Sequence, residues 1–121
     1  MKFSGVMLGS DDAKALGEFY TKVFGEPGWQ RDDWYGFMIG SGNLMIGPHS
    51  EVKGKNTSPG RIMTMLECED VKKEFDRIKG LGATVVAEPY LPNEKESPDG
   101  WLATFADPDG NYFQLATPWK D

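Results

Sequence analysis

The 121-residue sequence holds one cysteine, Cys68, and one histidine, His49. A lone cysteine closes no internal disulfide, so nothing in the chain calls for an oxidising compartment. A lone histidine at the edge of a polar stretch assembles no Ser-His-Asp set. Basic residues are the minority, 13 against 19 acidic, for a formal net charge of −6. A phosphate backbone needs a basic face and an anionic membrane repels an acidic one, so neither nucleic acid nor membrane is an expected partner. Long apolar runs are missing too. The longest charge-free stretch, residues 34–50, carries four Gly, a Pro, an Asn and two Ser, which is not the composition of a membrane span. The opening Met1-Lys2-Phe3-Ser4-Gly5 has no apolar core of the kind a secretion signal requires. The expected location is the cytoplasm. Gly40-Ser41-Gly42 lacks the Lys and the helix of a phosphate-binding loop.

What is present is turn-rich. Fifteen Gly and eight Pro make up about a fifth of the chain, which predicts many short elements rather than a helical bundle. Residues 3–8 read as a strand. Ser10-Asp11-Asp12 offers helix-capping side chains, and Leu16, Phe19, Tyr20, Val23 and Phe24 recur on one helical face until Gly25 and Pro27 end it. Three strands are expected next, near Trp29, over 35–39 and over 44–46. The order then recurs: a strand over 62–67, a helix capped by Asp70 with Val71, Phe75 and Ile78 on one face, and strands over 83–87, 101–106 and 112–117.

A shift of 58 residues superposes Leu8 on Leu66 and Asp12 on Asp70, and Gly42-Asn43 precedes a strand as Gly110-Asn111 does. The expected architecture is α+β: two βαβββ repeats, residues 1–48 and 61–121, within one domain and joined by a polar linker over 49–60. In each repeat a helix covers one sheet face, and the two curved mixed sheets are expected to enclose a cleft. Because each repeat leaves a sheet face unfinished, a homodimer is expected.

Two motifs carry a family resemblance. Residues 12–25, Asp12 through Phe19-Tyr20 to Val23-Phe24-Gly25, resemble the first helix of the glyoxalase I, bleomycin-resistance and extradiol dioxygenase superfamily, also called vicinal oxygen chelate. Asp107-Pro108-Asp109-Gly110-Asn111, followed by Tyr112-Phe113-Gln114-Leu115, resembles its last hairpin. Metal-dependent members hold a divalent cation on the first and last strands of each repeat. Carried over residue by residue, those positions fall on Gly5, Ile46, Met63 and Gln114. Two of these side chains have no ligand atom, one is a soft thioether and one a neutral amide, so no metal and no other cofactor is expected. Cys68, beside Glu67 and Glu69, reads as a poor nucleophile because neighbouring carboxylates raise a thiol pKa. No catalytic residue stands out.

Strand alternation places Met7, Ile46, Met63, Met65, Tyr112 and Gln114 on the face that the resemblance assigns to the cleft. Trp34, Tyr35, Tyr90 and Trp101, near turns and strand ends, are expected as its aromatic walls. The function expected is a metal-free binding protein, similar to the bleomycin-resistance proteins, that takes a small hydrophobic or cationic molecule. The alternatives are a lyase, isomerase or dioxygenase of the same superfamily and a partner protein with an incidental cleft.

Overall fold

The computed structural model describes residues 1–119. The chain divides into two compact units, Met1–Lys55 and a second from Asn56 onward. The first contains strand β1 (Gly5–Ser10), helix α1 (Ala13–Phe24), and strands β2 (Trp29–Arg31), β3 (Trp34–Ile39) and β4 (Gly42–Pro48). The second repeats the order with β5 (Thr64–Glu67), α2 (Val71–Gly80), β6 (Thr84–Tyr90), β7 (Leu102–Ala106) and β8 (Tyr112–Ala116). Each unit forms a four-stranded mixed sheet, in the order β1-β4-β3-β2 or β5-β8-β7-β6. The first and last strands of each repeat pair in parallel and the remaining pairs are antiparallel. This is the expected α+β architecture. Neither helix is long and apolar enough to cross a membrane.

The helices begin where the acidic caps stand. The Asp12 carboxylate accepts a hydrogen bond from the Ala15 amide at 3.2 Å, and Asp70 does the same for Lys73 at 3.1 Å. Gly25 ends α1 at φ 93°, a left-handed conformation that costs glycine little.

The aromatic core decides which sheet face each helix covers. On β3 and β4, Tyr35 lies opposite Ile46 and Phe37 opposite Leu44. All four are buried; Tyr35 stacks on Phe37 at 6.4 Å, and Phe24 of α1 meets Phe37 at 5.6 Å. In the second unit Phe75 of α2 stacks on Phe105 at 5.0 Å, and Phe105 on Phe113 at 5.5 Å. Side chains alternate across a strand. Residues of the other parity, such as Met7 and Met45 in the first unit and Met65, Thr104 and Gln114 in the second, therefore take the opposite face.

Strand limits differ from expectation by two residues or more in four strands; β4, expected over 44–46, runs from Gly42 to Pro48. Phe3 and Ser4 precede β1, and Ile62 and Met63 precede β5, because neither pair joins a ladder. Strand β6 runs on to Tyr90 through two register shifts, between Val85 and Ala87 and between Ala87 and Tyr90. The polar stretch 49–60 forms no regular element but is tied at both ends. The His49 amide donates to the Ser10 carbonyl and the Gly54 amide to the Asp11 carboxylate, while the Asn56 amide donates to the Asp109 carbonyl at 2.8 Å.

Helix α1 sits close to its sheet through Gly17, where an added Cβ would run into the ring of buried Tyr35. Helix propensity alone favours Gly17→Ala by about 1 kcal/mol. Overpacking a filled core costs roughly 1–3 kcal/mol. The expected outcome is a net loss of about 1 kcal/mol, read as a lower denaturation midpoint at unchanged m-value. A higher midpoint would show that Tyr35 yields without cost.

Candidate functional site

The face of the second sheet opposite α2 is built from alternate residues of three strands. Gln114 lies opposite Thr104 across β7 and β8, and opposite Met65 across β5 and β8; Leu102 faces Ala116. Gln114 and Thr104 are buried, and the Gln114 amide nitrogen donates to the Thr104 hydroxyl at 3.2 Å. That pair satisfies two polar groups that would otherwise be costly to bury. Met65 beside them is 55% exposed.

The connection between β6 and β7, residues 91–101, turns tightly beside this face. The Ser97 amide donates to the Asn93 carbonyl at 2.7 Å and the Gly100 amide to the Ser97 carbonyl at 3.1 Å. Trp101 is then locked to the end of β8. Its amide donates to the Thr117 hydroxyl at 3.0 Å, and its carbonyl accepts from the Thr117 amide at 3.1 Å. Between this connection and the sheet lies a cleft of about 690 Å³. Met65, Leu102, Pro98, Trp101 and Trp119 make its apolar wall. Asn93, Ser97 and the carboxylates Glu96 and Asp99 supply its polar part, and no Lys or Arg lines it among the described residues. Trp119 is 87% exposed, a large ring left in water at the cleft. Its volume falls within the range of small-molecule pockets, and its lining is more apolar than polar.

The glyoxalase-like domain family matches residues 5–116, nearly the whole chain. The chain belongs to this family. It is thereby placed in the glyoxalase, bleomycin-resistance and vicinal oxygen chelate superfamily. Solved structures agree in fold. A glyoxalase-related enzyme from Fulvimarina pelagi is 19% identical, with TM-score 0.75, 97% of this chain and 88% of that chain covered. A lactoylglutathione lyase from Agrobacterium tumefaciens is 22% identical, with TM-score 0.71 and 96% and 92% covered. A fosfomycin resistance protein from Listeria monocytogenes is 21% identical, with TM-score 0.69 and 98% and 94% covered. At these identities the likeness concerns the fold. No curated protein sequence matches the chain.

In this glyoxalase-like domain the residues expected to share one site fall into five groups. Met65 and Trp101 line the cleft. Gln114 stands next to Met65 in the ladder, Tyr112 shares its face, and Tyr90 sits opposite Leu102 on β6. Met7 and Trp34 lie on the open face of the first unit, where Trp34 covers Gly47 so closely that a Cβ there would meet its ring. Tyr35 and Ile46 are the corrections: they are buried beneath α1, on the face opposite Met7. Met63 precedes β5 and is only partly exposed.

The misplacement of Ile46 has a physical cause. Gly42-Asn43 and Gly110-Asn111 suggest equivalent turns, but two residues separate the paired Ile39 and Gly42 whereas five separate Ala106 and Tyr112. The residue that pairs with Met7 as Gln114 pairs with Met65 is Met45. Walls outside the expected set are Leu102, Pro98, Glu96, Asp99 and Trp119. Pro92, Pro98 and Gly100 mark this connection as a structured turn in the sequence, but nothing in their spacing aims it at the sheet.

Met45 in place of Ile46 leaves the metal question chemically unchanged. The donors at the carried-over positions are thioethers and one neutral amide, whose nitrogen is engaged by Thr104. Such a set does not fit a hard divalent cation. Among the described residues no three His, Cys, Asp or Glu side chains are placed to hold a metal ion together. Burial pushes the Tyr35 phenol up, with Glu18 and then Asp33 adding to it, so it is no general base near neutral pH.

Cys68 follows β5, and its thiol is likewise pushed up, first by burial, then by Glu74 and Asp70. Those two carboxylates, rather than the adjacent Glu67 and Glu69, act on it. Only the thiolate is nucleophilic. Alkylation of Cys68 by iodoacetamide at pH 8 is therefore expected to be slower than that of glutathione and to accelerate as pH rises above 9. A rate equal to glutathione's would mean the thiol is neither buried nor opposed by these carboxylates.

Proposed function

We propose that this glyoxalase-like domain is a metal-independent binding protein that holds a small apolar molecule in the cleft of its second unit. The observation that carries this reading is the pair of indoles, Trp101 and Trp119, set with Met65 around about 690 Å³ next to a sheet face on which the Gln114 amide nitrogen is already bonded to Thr104. Trp119 and Met65 hold apolar surface in water. Covering a large apolar side chain is worth roughly 2–3 kcal/mol before association costs. Two carboxylates at the cleft and the net charge of −6 support a ligand that tolerates or carries positive charge at one end. Met65 gives the wall an adaptable contact that suits a permissive site.

A second reading, chemical turnover of the bound molecule, is supported by solved neighbours described as a lyase and as a glyoxalase-related enzyme. One assay separates the two. A thermal-shift screen of apolar aromatic metabolites and antibiotics, with and without chelator, is followed by analysis of the recovered ligand. The expected result is saturable one-to-one binding, insensitive to chelator, with the ligand recovered intact. A ligand at about 100 times its Kd stabilises by roughly 2.7 kcal/mol. Met65→Glu is expected to weaken binding at least about tenfold, since it sets an unpaired carboxylate in the apolar wall. Trp119→Ala is expected to weaken it several-fold with little change in melting temperature, because Trp119 is exposed in the free protein. Recovery of a transformed ligand establishes the second reading. Full affinity in both variants removes the cleft as the site.

A further inference from the structure

Lys72 stands outside the cleft yet touches one of its walls. It lies in the first turn of α2, exposed, and its ammonium nitrogen sits 3.8 Å from the ring centroid of Trp101. That distance is well within the range of a cation–π contact. An indole has two faces, and Lys72 occupies one of them. A ligand that stacks on Trp101 must therefore use the other. The main-chain amide and carbonyl of Trp101 are both bonded to Thr117, which fixes the point from which the indole leaves the sheet.

The contact has an electrostatic consequence for that second face. An aromatic face attracts cations because its quadrupole is negative. An ammonium on one side draws the ring's electrons toward itself and repels any second cation brought to the opposite side. The same polarisation strengthens stacking with a neutral, electron-rich ring. Glu96 and Asp99, by contrast, attract positive charge to the polar part of the cleft. The two influences act at different places.

We propose that Lys72 is a specificity-determining positioning residue of the cleft: by capping one face of Trp101 it biases the other toward neutral, electron-rich aromatic groups and against cationic rings. The ligand class is then a molecule with a neutral aromatic ring, any positive charge being carried on a substituent. This rests on the reading of the cleft as a binding site, and the test separates the two.

The probes are 2-naphthol, neutral, and N-methylquinolinium, a cationic bicycle of similar size. Their dissociation constants are measured by calorimetry, and the Trp101 indole N–H resonance, identified with Trp101→Phe, reports whether each probe reaches the ring. The expected result is that Lys72→Met weakens 2-naphthol by about threefold and tightens N-methylquinolinium by about threefold, so that the selectivity ratio moves about tenfold. Lys72→Arg restores the ratio, since a guanidinium also stacks on an indole. Lys95→Met is the charge control. It removes the same positive charge from the neighbouring connection without touching Trp101, and its ratio is expected to match the wild type. If both probes shift Trp101 but the ratio is unmoved in Lys72→Met, or moves equally in Lys95→Met, the role of Lys72 is overturned while the cleft stands. If neither probe binds or moves the Trp101 resonance, the cleft reading falls and this inference with it.

Discussion

Stacked aromatic rings under each helix set the parity of the strands that carry them, β3 in the first unit and β7 and β8 in the second, and the ladders pass that parity to their neighbours. In the first, Tyr35 and Phe37 stack with Leu44 and Ile46 beside them; in the second, Phe75, Phe105 and Phe113 form a continuous stack. A one-residue slip of β3, β7 or β8 would carry a buried ring to the opposite face and bring a residue of that face, such as Met38, Thr104 or Gln114, under the helix. The cost of such a slip is several kcal/mol, because a displaced core phenylalanine loses roughly what a Phe→Ala change loses, about 3–5 kcal/mol. The open-face residues thus follow from what the helices demand. Met65, Thr104 and Gln114 are neighbours because Phe105, Phe113 and Leu115 are committed to the other side.

That dependence explains what the sequence disclosed and where it misled. Elements marked by strong local chemistry are legible: the Asp12 and Asp70 caps, the helical faces through Tyr20 and Phe75, and the turn Asp107 to Asn111. In that turn the Asp107 carboxylate accepts from the amides of Asp109 and Asn111 at 2.9 and 3.0 Å, and Gly110 takes φ 80°. These signals are confined to a few adjacent residues, so no tertiary context is needed to read them. Register is different. It depends on how many residues a hairpin loop contains, and Gly-Asn occurs at the end of a short loop in one repeat and of a longer one in the other. Counting from that dipeptide moved Ile46 onto the wrong face. Tyr35 was misplaced for a related reason: an amphipathic ring near a turn suits a wall or a core equally, and only the strand's pairing decides.

The cleft itself was the least legible part. Its walls come from the connection 91–101, the end of β8 and the segment after it, and they meet through hydrogen bonds such as that from the Thr117 amide to the Trp101 carbonyl, 16 residues apart in sequence. No periodicity encodes such a meeting. Met65 and Trp101, which line the cleft, are legible because a strand position and a polar-flanked indole are recognisable singly. Lys72 is not, since a lysine in the first turn of a helix has the look of a solvated side chain until the indole beneath it is placed.

The two repeats share a backbone plan but treat their open faces differently, and the difference is one of side-chain volume. In the first unit Trp34 extends over Gly47, and Trp29 lies beside Gly36 at ordinary contact distance. Each indole rests where its neighbour has no Cβ, so the chain's own rings cover that part of the face. The ladder positions that correspond in the second unit are Leu102 opposite Ala116 and Thr104 opposite Gln114. A leucine next to an alanine fills far less than an indole on a glycine. The second face therefore keeps open space, and the indoles nearest to it, Trp101 and Trp119, stand at the edge of that space instead of inside it. One copy of the duplicated sheet thus lays tryptophan over its glycines, while the other has tryptophan at the border of open space.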